Sequence, residues 1–230
     1  GDLVAFGAYR VTGEVSRLAV QPGTTTSRAD SVSDDGGVIT GYDQGEIIDP
    51  EFGSYEGRRV CVWTNGVQTL IDALSGFAGT YPVNGAGTVI AGSPSAGFCQ
   101  ATFGIGEAQL VRWVRQGDDS WTPEALGRPV DYFDGVEVKP LMGIQPLAVS
   151  DDGGTIVGTA SYGNDFFDQV SRAFIWRASV NEGVPVDLGA YVETLGGGIV
   201  EPGVTLTAAR GLSADGNAVT VSLTDARTTC

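Results

Sequence analysis

Apolar residues along this chain come in short runs separated by corners of Asp, Asn and Gly. The clearest example spans Ser150–Gly158, where an Asp-Asp-Gly-Gly corner is followed by the apolar residues Ile156 and Val157. Apolar residues also precede this corner, at Leu147 and Val149. Because Asp-Gly supplies the positive φ angles of a two-residue turn, the pattern predicts a β-hairpin.

This corner recurs along the chain. A close copy spans Ser31–Gly41, a weaker copy with Asn84-Gly85 at its corner spans Pro82–Gly92, and another spans Ala209–Thr220. Asn-Gly forms the same turn as Asp-Gly. We therefore predict a repeat protein in which the corner aspartates bond nearby backbone N–H groups.

A Trp residue ends a predicted strand at a similar distance after three of the corners, at Trp63, Trp113 and Trp176. This regular placement predicts core anchors rather than ligand platforms. In the third repeat a further strand is predicted over 184–189. The segments 42–59 and 114–145 have no clean strand period, so they are predicted as a long loop and an irregular connection.

Four short strands in each repeat are what a β-propeller blade requires, since a blade buries its faces only against neighbouring blades. The prediction is an all-β fold, a small β-propeller of about four blades in a single domain, 1–230. Its repeat units are approximately 31–80, 81–146, 147–208 and 209–230, the last one completed by residues 1–20. Two strands predicted within Leu3–Val20 would close the ring and remove an exposed sheet edge.

Composition supports many short strands and excludes some partners. The chain has 35 Gly, and its 13 Lys and Arg against 28 Asp and Glu give a net charge of -15. Binding to a phosphate backbone depends on Lys and Arg, so nucleic acid and anionic membrane surfaces are disfavoured as partners. No apolar run is long enough to span a bilayer, and the start at Gly1 suggests a processed or trimmed terminus.

The chain has three cysteines and no histidine, which excludes the usual structural zinc sites. One disulfide with a leftover thiol is one arrangement, and Cys61 with Cys99 is the candidate pair, which leaves Cys230. Three unpaired cysteines are the alternative.

The third repeat resembles a known family. The motifs that carry the resemblance are Ser150–Gly158, Ala173-Phe174-Ile175-Trp176, Asp187-Leu188-Gly189 and Gly196-Gly197-Gly198. Together they are similar to the HAF-type repeats of bacterial surface and secreted proteins, whose repeats look like propeller blades. The resemblance implies an extracellular or cell-surface location and carries no settled activity. This chain has Arg172 where the family has His.

The segments after the corners are the best candidates for function, because loops carry function more often than the scaffold does. Exposed aromatic rings could stack on sugar faces beside carboxylates. The ligand-binding candidates are Tyr42, Asp43, Glu46, Phe52, Tyr55, Tyr162, Phe166 and Phe167. Carboxylates could also ligate a hard cation such as calcium. The candidates for that role are Asp43, Asp49, Glu51, Asp165 and Asp168.

Catalytic chemistry is limited by the absence of histidine, which removes the Ser-His-Asp and Cys-His systems. The main prediction is a non-enzymatic binding or adhesion propeller, secreted or on the cell surface, that recognises a glycan, a cation or a surface protein. Two alternatives stay open. One is a self-associating structural subunit of an extracellular filament or sheath, and the other is a glycoside hydrolase that uses loop carboxylates.

Overall fold

The computed structural model describes residues 18–49, 53–72, 80–94, 99, 102–105, 107, 109–165, 167–196 and 200–225. The all-β prediction is confirmed: the described residues form several antiparallel sheets. The chain divides into two compact units, Gly1–Ala125 and Leu126–Cys230.

The first unit contains two sheets. Sheet one has its four strands in chain order, and they are β1 Thr26–Val32, β2 Val38–Asp49, β3 Gly53–Thr64 and β4 Val67–Asp72. Sheet two consists of β5 Val89–Gly92, β6 Val111–Arg115 and β7 Trp121–Ala125. A single bridge from Val83 to Ile90 occupies the place of a first strand in sheet two.

The second unit contains one four-stranded sheet with the same strand order as sheet one, and a further sheet with two strands. A short ribbon of β8 Tyr132–Phe133 and β9 Val138–Lys139 comes first. Sheet three follows, with β10 Leu141–Val149, β11 Thr155–Tyr162, β12 Val170–Arg177 and β13 Val186–Asp187. Helix α1 spans Leu188–Thr194, and sheet four pairs β14 Val204–Leu212 with β15 Val219–Asp225.

Alternation along β3 gives sheet one two apolar faces. Val60 and Val62 belong to a buried cluster with Trp113 of sheet two, whereas Cys61 and Trp63 lie in a separate cluster. In the second unit, Val157 and Ile175 of sheet three are buried together with Ala209 of sheet four. Trp63, Trp113 and Trp176 are each at most 3 % exposed, which confirms their predicted role as core anchors.

Three of the four corners share one hydrogen-bond pattern. In the first, the hydroxyl of Ser33 donates to Asp35 (2.7 Å) and accepts from the backbone N–H of Val38 (3.0 Å), while Asp35 accepts from the N–H of Gly37 (2.8 Å). The same bonds form around Ser150 with Asp152, and around Ser213 with Asp215. The predicted turn-forming role of these aspartates is confirmed.

In the second corner a single residue, Asn84, closes the turn. The Asn84 side-chain oxygen accepts from the backbone N–H groups of Thr88 (2.8 Å) and Val89 (2.9 Å). Asn84 thereby replaces both the Ser and the Asp of the other corners.

The corner turn is longer than predicted. The backbone N–H of Ser33 bonds the carbonyl of Val38, so four residues separate the paired ends instead of two. Four-residue hairpin loops are ordinary and are most often built around a type I turn. In the first corner Gly36, with φ of 72°, has the left-handed conformation that favours glycine. The prediction of a two-residue turn was wrong, because the Ser side chain closes a wider loop.

Successive corners within each unit are joined by a backbone bond. The N–H of Asp34 donates to the carbonyl of Gly85 (2.9 Å), and the N–H of Asp151 donates to the carbonyl of Ala214 (2.8 Å). Both bonds link the second position of one corner to the second position of the next. The repeats therefore stack through main-chain atoms.

Three predicted segments have a different structure. The predicted loop 42–59 forms most of the long β2–β3 hairpin, and its twelve paired positions run from Val38 with Thr64 to Asp49 with Gly53. The predicted irregular segment 114–145 contains β7, β8, β9 and the start of β10. The strand predicted to end at Gly189 stops at Asp187, because the Asp187 side chain accepts from the N–H of Ala190 (2.9 Å) and caps α1.

The predicted closing strands within Leu3–Val20 lie outside the described residues up to Arg17. The described end of this segment has no strand pairing. Leu18 is buried with Ile39, Cys61 and Trp63, and the indole N–H of Trp63 donates to the carbonyl of Ala19 (2.5 Å). Within the described residues, no helix is both long and apolar enough to cross a membrane.

Candidate functional site

The base of the β2–β3 hairpin holds a buried ion pair. Asp43 is fully buried, and Arg59 binds it with two nitrogens, Nε to Oδ1 at 2.7 Å and Nη2 to Oδ2 at 2.8 Å. Thr24 and Gln68 also donate to Oδ2, at 3.0 and 3.2 Å. Two-nitrogen binding of a carboxylate is among the strongest side-chain interactions. The cationic partner of Asp43 is therefore a side chain of the protein itself, Arg59.

Gly45 makes room for this ion pair. A Cβ atom at Gly45 would lie 2.6 Å from Nη2 of Arg59. Arg59 also donates from Nη1 to the carbonyl of Glu46 (3.3 Å), so its guanidinium fixes the backbone of β2 where the hairpin leaves the core. The base of the hairpin is therefore rigid and positions the residues beyond it.

Beyond this base lies a shallow cavity that we call the hairpin cleft. Its volume is about 360 Å³, and it is lined by Gly23, Thr25, Gly45, Glu46, Ser54, Tyr55 and Glu56. Glu46 and Glu56 face each other across the two strands as a register pair. The ring-bearing residue Tyr55 is 37 % exposed. The cleft thus brings together the predicted ligand-binding residues Glu46 and Tyr55.

Hydroxyl groups hold both carboxylates of the hairpin cleft. The Ser54 hydroxyl donates to Glu46, and the Thr25 hydroxyl donates to Glu56 (2.9 Å), which also accepts from Gln44 (3.4 Å). In the described part of the chain, no Lys or Arg forms an ion pair with either glutamate. Directly opposed carboxylates without a cation repel each other, and the hydroxyls offset part of this cost.

Thr25, Ser54 and Gly45 were missed by sequence reasoning. Thr25 lies in the segment before β1, and only the pairing of β1 with β2 brings it near Glu56. No local pattern marks it. Ser54 follows the hairpin tip by one position, so a correct prediction of this hairpin would have placed it opposite Ile48 and beside Glu46.

Tyr42 lies on the same hairpin but has another role. Its ring is flanked by the guanidinium groups of Arg28 and Arg58, at 4.7 and 4.6 Å from the ring centroid. These are cation–π contacts, which stabilise the sheet surface. The ring that was predicted as a ligand platform is occupied by the protein's own arginines.

The equivalent hairpin of sheet three presents a different set of groups. Tyr162 is 3 % exposed, so the predicted exposed ring is instead a core residue, and burial raises its pKa to about 12. Phe167 is 97 % exposed. Asp165 accepts from the backbone N–H groups of Phe167 (2.8 Å) and Asp168 (3.0 Å) and thus shapes the turn.

Lys139 occupies the centre of the carboxylates near this second hairpin. Its ammonium nitrogen lies 2.5 Å from Asp168, 3.4 Å from Glu137 and 3.8 Å from Asp134. The hydrogen bond to Asp168 raises the pKa of Lys139. A side-chain cation therefore stands where the sequence suggested a bound metal ion.

The other predicted cation ligands add no cluster. Among the residues that the structure describes, no group of three or more Asp, Glu, Cys or His residues could hold a metal ion. Glu51, Phe52 and Phe166 lie outside the described residues, as does the side chain of Asp49.

The predicted Cys61–Cys99 disulfide was wrong. The two buried cysteines are not joined by a disulfide, and they lie in different clusters, Cys61 with Trp63 and Cys99 with Val60 and Val62. Because β3 alternates its side chains, Cys61 points to the face of sheet one opposite the one that Cys99 packs on. Burial raises the pKa of the Cys61 thiol to about 12. Cys230 lies outside the described residues.

Arg172 of β12 has a structural partner. Its Nε lies 2.8 Å from Oδ2 of Asp187, the residue that caps α1. Its guanidinium also lies over the Tyr132 ring at 4.8 Å. Arg172 thus fixes the end of sheet three and the start of the helix.

Comparisons with known proteins do not assign a family to the chain. No protein-family model and no curated protein matches it. Two solved structures are similar: TolB from Acinetobacter baumannii, at 9 % identity and a TM-score of 0.46 over 94 % of this chain, and a glycosyl hydrolase from Bacteroides ovatus, at 11 % identity and 0.34 over 98 %. The chain spans 44 % of that TolB chain and 70 % of the hydrolase chain. Similarity at this level assigns neither family nor function.

Proposed function

We propose that this protein is a non-enzymatic binding module, secreted or on the cell surface, and that its hairpin cleft binds a neutral glycan. One observation carries the proposal: an exposed Tyr55 ring stands beside two carboxylates that have hydroxyl donors but, among the residues that the structure describes, no cationic partner. The location follows the resemblance to HAF-type repeats of surface and secreted proteins.

The chemistry of the hairpin cleft suits a sugar. The carboxylates of Glu46 and Glu56 accept hydrogen bonds from sugar hydroxyls, and the Tyr55 ring offers an apolar face for the C–H side of a pyranose. Ser54 and Thr25 hold the carboxylates in place before the ligand arrives, which lowers the entropy cost of binding. The opposed negative charges disfavour acidic sugars, so the ligand is a neutral one.

The exposure of the two cleft glutamates favours binding over hydrolysis. A glycosidase needs one carboxylic acid kept protonated by an apolar environment, whereas Glu46 and Glu56 are both exposed. This preference is testable in the same assay as binding.

The proposed scaffold is a β-propeller of about four blades. Three corners with the same Ser–Asp bonds and a fourth closed by Asn84 support it, as do the backbone bonds between successive corners within each unit and the four-strand order of sheets one and three. In such a scaffold the hairpins that join second to third strands are the natural carriers of binding groups.

The test is a glycan array of neutral and acidic oligosaccharides, followed by calorimetric titration of any ligand found. Tyr55→Ala is expected to weaken binding about fivefold to tenfold, the usual worth of an aromatic contact. Phe167→Ala is the matched control, because it removes an exposed ring from the other hairpin, and it should leave affinity unchanged.

Three results would overturn the proposal: no binding to any neutral glycan, equal binding by the Tyr55→Ala protein, or release of reducing ends from the bound glycan. Loss of binding after chelation with EDTA would point to a cation as the ligand instead.

A further inference from the structure

An apolar groove opens beside sheet four, within the second unit. Its volume is about 570 Å³, a size at which protein pockets hold small organic ligands. Residues of β12, α1, β14 and β15 contribute to its lining, and none of them belongs to the hairpin cleft. The groove is therefore a second candidate site, separate from the cleft.

One wall of the groove is a face of β15. Val219, Val221 and Leu223 line the groove and are two positions apart, so their side chains lie on the same face of the strand. Val221 is 39 % exposed and Leu223 is 56 % exposed. Leu206 of β14, the register partner of Leu223, extends this wall. Large apolar side chains thus stay partly open to solvent along it.

A second wall is a face of α1. Leu188, Tyr191 and Val192 all line the groove, and spacings of three and four positions place them on one side of a helix. Leu195, which follows the helix, is 64 % exposed and continues this wall. An apolar chain in the groove would be in contact with both walls.

Arg177, at the end of β12, is the cationic residue among the described residues that line the groove. Its Nη2 donates to the carbonyl of Gly216 and to the side-chain oxygen of Asn217 (3.3 Å), so the guanidinium is held at the corner of sheet four. Its Nε is buried, and no described residue accepts a hydrogen bond from it. Within the described residues, no carboxylate forms an ion pair with Arg177.

The unpaired nitrogen favours an anionic acceptor. Buried N–H groups almost always have a hydrogen-bond partner, and an unsatisfied charged donor costs free energy. Asp152 is the carboxylate whose pKa Arg177 helps to lower, but its own hydrogen bonds go to Ser150 and Gly154. A carboxylate on a ligand would satisfy both the nitrogen and the charge.

The position of Arg177 gives the groove two different ends. Gly216 and Asn217 come just before β15, so the guanidinium that bonds them lies where the β15 wall begins. From Val219 to Leu223 the wall runs about 13 Å away from this end, at about 3.3 Å per residue. A charged end and apolar walls are the two properties that suit an amphiphile.

We propose that this groove binds a small amphiphile with a carboxylate head group and an unbranched apolar tail. The carboxylate accepts a hydrogen bond from Nε of Arg177, and the tail lies between β15 and α1. The net charge of -15 repels anions at long range, so burial of the tail supplies most of the affinity and Arg177 supplies head-group selectivity. The site is independent of the hairpin cleft.

The first experiment measures the affinity of the full chain for hexanoate, octanoate and decanoate by calorimetric titration. Each added CH₂ group should tighten binding about fourfold, as long as it is buried against the walls. Octanol has a tail of similar length without the charge. It should bind about tenfold to hundredfold more weakly than octanoate, since the hydrogen bond between charged groups is lost.

Arg177→Met tests the head-group contact, because Met keeps an apolar stem and removes the guanidinium. This variant should lose the preference for octanoate over octanol. Arg210→Met is the matched control, since Arg210 of β14 bonds the Ser222 hydroxyl (2.6 Å) and does not line the groove. The preference should be unchanged in the control.

Val221→Trp tests the walls and does not depend on Arg177. The larger side chain fills the groove and should prevent binding of all three carboxylates. Thr220→Trp is its control, because Thr220 lies on the opposite face of β15. Urea midpoints of all four variants show whether each one is folded.

The proposal is overturned if octanoate does not bind, if affinity does not depend on tail length, or if octanoate and octanol bind the wild type equally. Unchanged binding by Val221→Trp, or an unchanged preference in folded Arg177→Met, would also overturn it. A dimer that Val221→Trp dissociates would assign the groove to a second copy. Cosedimentation of the wild type, but not of Val221→Trp, with phosphatidylglycerol vesicles would assign it to a membrane surface, and either result contradicts a free ligand.

Discussion

The β2–β3 and β11–β12 hairpins occupy the same place in their sheets, yet they place their positive charge differently. In the first, Arg59 lies at the buried base with Asp43, and the described residues give the glutamates of the hairpin cleft hydroxyl and amide donors but no cation. In the second, Lys139 comes from β9, outside the hairpin, and neutralises carboxylates at its mouth.

This difference shows that acidic and aromatic composition alone does not make a binding site. Both hairpins carry Asp residues and aromatic rings. What separates them is whether a cation of the chain already occupies the carboxylates. Of the described parts of the two hairpins, the hairpin cleft is the one that leaves an acceptor pair open beside an exposed ring, and for this reason the glycan site is proposed there.

The largest expected effect comes from removing the buried cation. Arg59→Met leaves the Asp43 carboxylate buried without a charge partner, which should lower the free energy of unfolding by about 3–5 kcal/mol. Urea denaturation followed by tryptophan fluorescence would measure it. Arg58→Met is the matched control, since it loses mainly a surface cation–π contact with Tyr42, worth about 0.5–1 kcal/mol. Equal losses from both variants would show that Asp43 finds another partner.

A smaller effect is expected at the second hairpin. Lys139→Met should lower the melting temperature at pH 8 by less than Arg59→Met does, because Asp168 and Glu137 are about half exposed and water can solvate them.

The pH dependence of this effect has a definite sign. The pKa of Lys139 is raised in the folded protein, so its contribution is present below the unfolded pKa and is lost as pH rises through the folded value. The difference in melting temperature between wild type and Lys139→Met should therefore shrink above about pH 10.5. A difference that stays constant to pH 11.5 would contradict the ion pairs.

The smallest effect concerns the corners, which both hairpins share. Hydrogen bonds from the Ser hydroxyls lower the pKa of Asp35, Asp152 and Asp215. Their contribution is present above the unfolded pKa and is lost as pH falls through the folded pKa, below about pH 4. A triple Asp→Asn variant keeps the acceptor oxygens, so its melting temperature should fall less between pH 5 and 3 than that of the wild type.

Asp34→Asn is the control for the corner experiment, because it removes a charge from the adjacent position outside the Ser–Asp bonds. If it flattens the acid response as much as the triple variant, general charge repulsion and not the corner bonds governs acid stability.

Local chemistry made the corners and the Trp strands predictable. The side-chain hydrogen bonds described for Ser150 and Asp152 join atoms within five positions, so their pattern is visible in a short window of sequence. The strand positions of Trp63 and Trp176 follow from apolar runs that need no knowledge of the partner strand. At the Ser-Asp corners the structure differs from the prediction in loop length, because the length depends on the Ser side chain and not on the Asp-Gly pair.

Long-range pairing made the hairpin site unpredictable. From the sequence, Asp43 and Glu46 are expected to be equally exposed, because both lie in a polar, Gly-containing segment. Asp43 is buried because β2 pairs with β3 and because Gln68 of β4 packs against its carboxylate. Lys139 and Asp168 are also far apart in sequence. The helix that begins at Leu188 was missed because Asp187 can end a strand or cap a helix with the same side chain.

The backbone bond between successive corners has a consequence for how such chains can change over generations. The N–H of Asp34 donates to the carbonyl of Gly85, and that of Asp151 donates to the carbonyl of Ala214. Since these bonds use backbone atoms, the joint between repeats does not depend on which side chains occupy the bonded positions. Duplication or exchange of a whole repeat then preserves the joint without matched substitutions. Insertions can accumulate in the segments that follow, which leaves new binding surfaces to arise while the spacing of the sheets is kept.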